Sequence, residues 1–418
     1  MLVPSCIFWG NWTAVFQGVN DPRNPNLIIY PLPGLLFTGV FSFVCRLGSR
    51  RGINDQLRGN GPSQAKFDAW FGVERVPHGD TLNYTYQRLD VEEVQEVICR
   101  TVEALIRKKV LYRYRLLDIY FLVAIDGSGV LTFHACHCPH CLTKTLFTGE
   151  ILYYHPVLEA KLVTANGFAF SLMTEFIENT DLSADKQDCE LKAFYRPTKR
   201  LKQRFPRLPI CLLLDGLYAG GPTFRVCEDH DWKYFIVLRE DDLLNVHRSY
   251  AAALPHLPQN QKTVRVEQRT STVAQTYHWA DHLAYTDTLG NTHQLSLLKC
   301  HETRLDAHGR ETSLHYKWLT NFIITHHNVE RLANQGARLR WKIENEGFNV
   351  QKTANSSWNT PTANTLQPAK SSTCFSNWPI SFSNSCSTAA CYSRPSPMAC
   401  EPPKTWLSAS SKPGATCP

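Results

Sequence analysis

Two apolar runs in this chain end in the same way. "IYFLVAIDGSG" (residues 119–129) and "LPICLLLDGLYAGG" (residues 208–221) each carry an Asp followed by glycine at the end of an unbroken hydrophobic segment. Continuous apolar runs of this length predict strands buried on both faces. An acid at the carboxyl end of such a strand projects into the crevice where open α/β sheets take their ligands. Asp126 and Asp215 can then be neighbours although 89 residues separate them. A third acidic segment, "RLRWKIENEGFNVQK" (residues 338–352), predicts one amphipathic helix with Glu344 and Glu346 among basic residues. Two aspartates and a glutamate form a hard-oxygen cage for Mg²⁺ or Mn²⁺ that leaves room for phosphate and water. Two such ions activate an attacking oxygen and steady a leaving one in phosphodiester cleavage. The competing reading of each Asp-Gly is a plain turn former. The repetition of the pattern, with an acidic helix in the same chain, favours the site.

A second group of reactive residues lies just past Asp126. "FHACHCPHCLT" places His134, Cys136, His137, Cys138, His140 and Cys141 within eight residues. Cys138 and Cys141 have the CxxC spacing that lets two thiolates reach one Zn²⁺. Cys136 or His134 is a candidate third ligand, with Cys189 or His155 as a distant fourth. Such a zinc would be structural and separate from the catalytic ions. The alternative is a hairpin turn carrying free thiols.

These residues need elements to position them. Residues 1–115 read as mostly helical. Asp90 is placed to cap a helix with Glu92 and Glu93 in its first turn. Val94, Val97, Ile98, Val102, Leu105 and Ile106 keep the spacing of one buried face. Residues 116–239 hold both Asp-bearing strands, a hairpin turning at "ANG", and a helix over residues 185–205. Residues 240–325 are rich in Thr, Val, Tyr and His with turn breaks, which predicts β structure. Residues 326–352 supply the acidic helix, in which Trp341 reads as core packing, with a base-stacking platform as the alternative.

The 418 residues are 43% hydrophobic with a formal charge of +7, a balance that permits a nucleic-acid partner without requiring one. Lys199, Arg200 and Lys202 are candidate phosphate contacts; otherwise they form the solvated face of a helix. No apolar run reaches the ~18–20 residues of a membrane span, and the first residues lack the basic start of a signal peptide. Fifteen cysteines in no secreted-domain pattern fit reduced thiols and a cytoplasmic setting.

The segment around Glu344 resembles the third-acid signature of bacterial insertion-sequence DDE transposases, in the subgroup with a Tyr–Arg–Glu–Lys pattern. Arg340 and Glu344 match its spacing, and "RWKIE" is typical of the group. Ala337 stands where the pattern has Tyr. Gln351 stands where it has Lys, with Lys352 one residue later. The likeness extends to "GVERVPHGDTLN", "LVAIDGSG", "LEAKLVT", "TEFIEN", "KQDCELKAF" and "LLLDGLYAGG". It implies an α/β fold: an RNase H-like catalytic core with a β-rich insertion domain and an N-terminal helical, DNA-binding region. It also implies Asp126, Asp215 and Glu344 as ligands of two Mg²⁺ or Mn²⁺ ions. Arg340, one helical turn before Glu344, becomes a DNA contact or else the i,i+4 salt-bridge partner of that acid; Lys352 becomes a DNA contact, the partners transposon ends and target DNA, the assembly a DNA-bound homodimer, and the location the bacterial cytoplasm at the nucleoid. The implied activity is metal-dependent cleavage at transposon ends followed by strand transfer. A catalytically inactive relic that only binds DNA, or a stand-alone RNase H-like nuclease, are the alternatives.

Residues 353–418 differ in character. Glu401 is their single acid, and Asp and His are missing from them. They hold three tryptophans and five cysteines without helical or strand period. This composition fits a disordered segment or one translated out of frame after an indel near codon 352, which would leave the core short of a closing helix.

Overall fold

The two Asp-bearing segments form adjacent parallel strands, and their register is in phase. In the computed structural model, β1 (Phe121–Phe133) pairs with β5 (Ile210–Leu214) from Phe121↔Ile210 to Ala124↔Leu213. Two residues further along each strand come Asp126 and Asp215, so both acids stand at equivalent positions where the two strands part. The structure describes residues 16–353 apart from 17, 45–46, 48–49, 59–74, 137, 181–186, 269–270 and 307, together with residues 370, 373, 374 and 377.

These strands belong to a mixed sheet of ten, in the order β2-β3-β1-β5-β6-β10-β9-β8-β7 with β4 also on β3. The remaining ranges are β2 (Leu142–Thr145), β3 (Ile151–Val163), β4 (Ala169–Phe176), β6 (Lys233–Val237), β7 (Gln261–Gln268), β8 (Ser271–Thr286), β9 (Thr292–Asp306) and β10 (Glu311–Thr320). β3 runs antiparallel to β1 and β4, while β6 is parallel to β5. The β-rich stretch expected over residues 240–325 is present, but it is not a separate sheet. β10 hydrogen-bonds antiparallel to β6 through Trp318↔Val237, Leu319↔Ile236 and Thr320↔Phe235, so β7–β10 extend the central sheet.

Alternation along the strands sends side chains to two cores. On one face Val123, Ile125, Leu212 and Leu214 pack with α4 (Val91–Arg107), α5 (Glu190–Arg204), α6 (Gly221–His230) and α7 (Leu244–Ala253). On the other, Leu122, Ala124, Cys211 and Leu213 meet α8 (Val329–Asn334) and the segment Leu339, Ile343 and Phe348. The helices α1 (Leu32–Val44), α2 (Arg50–Leu57) and α3 (Gly79–Tyr86) form a third cluster against Val91, Val94, Val97 and Ile98 of α4. The cap expected for α4 is present, with the Asp90 carboxylate accepting from the Glu92 amide at 2.9 Å. All six residues expected on its apolar face are buried.

Three elements depart from the sequence expectation. β1 does not stop at its Asp-Gly. Gly127, Ser128 and Gly129 continue the ladder against Leu158, Val157 and Pro156 of β3, because only the β5 side of the strand ends there. The segment around Glu344 is not one α-helix. It is a 3₁₀ turn (Ala337–Trp341), a π-helical turn (Ile343–Phe348) and a short α-helix, α9 (Asn349–Thr353). Packing accounts for Gly347 in that wider turn, since a Cβ there would meet the Lys161 side chain at 3.0 Å. Trp341 is 52% exposed rather than in the core.

Most of residues 354–418 lies outside the described part, but the four described positions, 370, 373, 374 and 377, are packed against the fold. The Lys161 ammonium donates to the Asn377 amide oxygen at 2.7 Å, and the Asn377 amide donates to Glu159 at 3.1 Å. Glu159 and Lys161 are a fully buried ion pair at 3.2 Å, and such a pair needs these extra partners to offset its desolvation. Lys370 bridges Glu178 at 2.6 Å.

Candidate active site

The edge where β1 and β5 part collects four carboxylates. Asp126 is largely buried and lies on the same face of the sheet as Ala124, toward the segment that carries Arg340. The buried Arg340 guanidinium reaches Asp126 at 3.4 Å and Glu344 at 3.0 Å, joining the first acid to the third. Asp215 caps the turn Gly216–Tyr218 by accepting from the Leu217 amide at 2.9 Å. Its other oxygen faces Arg239 at 3.3 Å. Glu190, at the start of α5, is the fourth acid. It accepts from the Tyr218 hydroxyl at 2.7 Å and approaches Gly127 so closely that a Cβ there would lie 2.4 Å from its carboxylate.

The electrostatics follow from this crowding. Burial pushes the Asp126 carboxyl up to about 7; Arg340 pulls it down, and Glu344, Glu190 and Asp215 push it further up. Glu190 is also raised, by burial first and with Asp215 adding to it, while the Tyr218 hydroxyl and the Gly127 amide hold it down. Burial and the neighbouring carboxylates, Glu190 foremost, push the Tyr218 phenol well up, so it remains a donor. Four carboxylates thus face two guanidiniums, Arg340 and Arg239, one of them exposed. By donor type the residues fit a hard divalent cation. The carboxylates are nevertheless spread, and Arg340 lies between two of them. Among the described residues the group that converges within 4.8 Å is Cys138, Cys141 and His155.

The other expected site residues fall as follows. Lys199 is exposed on α5. Arg200 is engaged within the fold, at 2.8 Å from Glu92 of α4 and 2.6 Å from Glu175 of β4. Lys202 donates to the His230 carbonyl at 2.9 Å, where α6 ends. Arg204 bridges Glu103 at 2.8 Å and Glu96 at 2.9 Å. The basic run of α5 thus serves mainly to fasten it to α4, α6 and β4. Lys352 falls in α9, with its side chain outside the described part, as is His137. Cys136 is exposed and stands apart from the group that Cys138 and Cys141 form with His155.

Sequence reasoning missed Glu190, Tyr218 and Arg239. The available signal was positional: "KQDCELKAF" puts an acid at a helix start, and "DGLYAGG" puts a Tyr three residues after the second acid. No family model matches the chain, and no characterised protein matches it significantly. No helix among the described residues is long and apolar enough to cross a membrane.

Proposed function

We propose that the chain is a DNA transposase of the DDE kind, which cleaves phosphodiester bonds at transposon ends and joins the freed end to target DNA. The observation that carries this reading is the in-phase register that brings Asp126 and Asp215 to one sheet edge, with Glu344 tied to Asp126 through Arg340. The strand order supports an RNase H-like core. β4, β3 and β1 form an antiparallel trio, β5 and β6 continue parallel to β1, and β7–β10 enter as an insertion before the third acid. The small strand β2 is an addition to that plan.

Asp126, Asp215 and Glu344 would hold one or two Mg²⁺ or Mn²⁺ ions, which when bound supply charge neutralisation and an activated oxygen. Arg340 has a second task. With Asp126 and Glu344 engaged by a cation, its guanidinium would be available to a DNA phosphate, which it suits by its planar fork. Exposed Trp341, next in sequence and with Arg340 lying over its ring at 4.8 Å, offers an unstacked base a face to rest on. Glu190, braced by Tyr218, adds negative charge that favours cation entry. Pairing two element ends calls for two protomers.

The test is cleavage of duplexes carrying the DNA that flanks the chain's own gene, with Mg²⁺ or Mn²⁺. Asp126→Asn and Glu344→Gln should abolish nicking and strand transfer while binding in a gel-shift assay persists, and Glu346→Gln should keep activity. Binding without cleavage by the unsubstituted chain would instead identify a relic, and hydrolysis without joined products a nuclease.

A further inference from the structure

Away from the carboxylates, two cysteines and a histidine converge on one point. The Cys138 and Cys141 sulfurs are 3.7 Å apart, and each lies 3.3 Å from His155 Nε2. A tetrahedral Zn²⁺ with Zn–S of about 2.3 Å and Zn–N of about 2.0 Å has S···S edges of roughly 3.8 Å and S···N edges of roughly 3.5 Å. All three observed separations lie within about 0.2 Å of those edges. The sulfurs are also much further apart than the ~2.05 Å of a disulfide.

The surroundings hold this triangle in place. Cys138 and Cys141 lie on the turn entering β2, and His155 lies within β3, paired across to β1 at Leu131. The turn is braced from outside: His140 Nδ1 bonds the Asn179 carbonyl at 2.8 Å, and the Asn179 amide donates to the Cys141 carbonyl at 3.0 Å. Cys141 and His155 are buried. On the far side of the imidazole, the Glu178 carboxylate stands 3.9 Å from His155 Nδ1, the outer position from which a carboxylate orients a metal-bound histidine.

We propose that Cys138, Cys141 and His155 bind a structural zinc ion that clamps the turn before β2 onto β3. A four-coordinate zinc would take one further donor beyond these three. Cys136, exposed and bonded through its sulfur to the Cys138 carbonyl at 3.4 Å, is not a ligand. Asp126 pairs with Glu159, four residues from His155 along β3, so the zinc lies roughly 13 Å along the sheet from the carboxylate edge. Thiolate and imidazole donors select zinc at one position, and carboxylates select harder ions at the other.

The full chain, purified without chelator, should carry one zinc per molecule by elemental analysis. Cobalt exchange should give thiolate-to-metal charge-transfer bands and the intense visible bands of a tetrahedral ion. Titrating the thiols with a mercurial should release that zinc as two thiols are consumed. His155→Ala, Cys138→Ser and Cys141→Ser should each lower zinc content at least tenfold. Cys136→Ser, Cys189→Ser and Asp126→Asn should retain it. If the ligand variants fail to fold, the cobalt spectrum and mercurial titration of the unsubstituted chain still decide. Less than a tenth of an equivalent of zinc after reconstitution, a cobalt spectrum without thiolate bands, or metal loss in Cys136→Ser equal to that in His155→Ala would overturn the assignment.

Discussion

Replacing Asp126 with Asn should stabilise the metal-free protein, and the gain should depend on pH. In the folded chain the Asp126 carboxyl is pushed up to about 7, whereas an unfolded Asp titrates near ~3.9. The folded state therefore holds this proton more tightly than the unfolded one. The resulting stabilisation is complete below about pH 4 and is lost as pH rises to about 7. Three pH units at about 1.36 kcal/mol each set the loss at up to about 4 kcal/mol at pH 8. Asn escapes it. The pull of Arg340 is already part of that value, so the further cost in the variant is that of exchanging one neutral hydrogen-bond partner, about 0.5–1.5 kcal/mol. Urea unfolding in EDTA should show Asp126→Asn more stable than the unsubstituted chain by up to about 3 kcal/mol at pH 8, with the advantage shrinking steadily toward pH 5. Under the proposed function Mn²⁺ should then reverse the order at pH 8, because a cation held by Asp126 would replace the proton and would have no carboxylate to hold in the variant. A stability difference that stays constant from pH 5 to 8 would refute the reasoning, since it would mean that Asp126 is not held above its ordinary range.

Two further outcomes test the geometry around that carboxylate. Gly127→Ala should destabilise the fold by about 1 kcal/mol, because its Cβ would lie 2.4 Å from the Glu190 carboxylate and displace it from the Tyr218 hydroxyl; Glu190→Ala should lose the same bond, so the double variant should cost little more than Glu190→Ala alone in the same urea titration. Trp341→Ala should leave thermal stability nearly unchanged, the side chain being half exposed, yet weaken single-strand DNA affinity by about 1–3 kcal/mol in fluorescence titrations.

The parts of the fold that were legible in the sequence are those set by local pattern. The apolar runs around Asp126 and Asp215 gave both strands, and the i, i+3/i+4 spacing of Val94 to Ile106 gave the face of α4. The capping of that helix by Asp90 was equally local. What was not legible depends on partners distant in sequence. Arg200 and Lys202 look like an exposed basic stripe until Glu92, Glu175 and the end of α6 arrive to meet them. Glu190 and Arg239 are ordinary charged residues whose importance comes from a sheet edge built by other segments. His155 was among the candidate zinc ligands, but the choice of it over Cys189, His134 and Cys136 was not legible; the β2–β3 pairing brings it to Cys138 and Cys141. The π-helical turn at Glu344 answers to Lys161 on β3, a contact to which helical periodicity is blind.

The continuity of the sheet through β6 and β10 also sets an order of events during synthesis. The strands carrying Asp126 and Asp215 can pair as soon as β5 has been made, but Arg340 and Glu344 come after another 125 residues or more, all of β7–β10 among them. At ribosomal rates of about 5–20 residues per second that interval is on the order of ten seconds. Through it the nascent chain carries two acids at the sheet edge without the guanidinium that balances Asp126 and without the third acid. The carboxylate cluster is therefore completed only when the segment carrying Arg340 and Glu344 returns across β1, the same step that closes the second core.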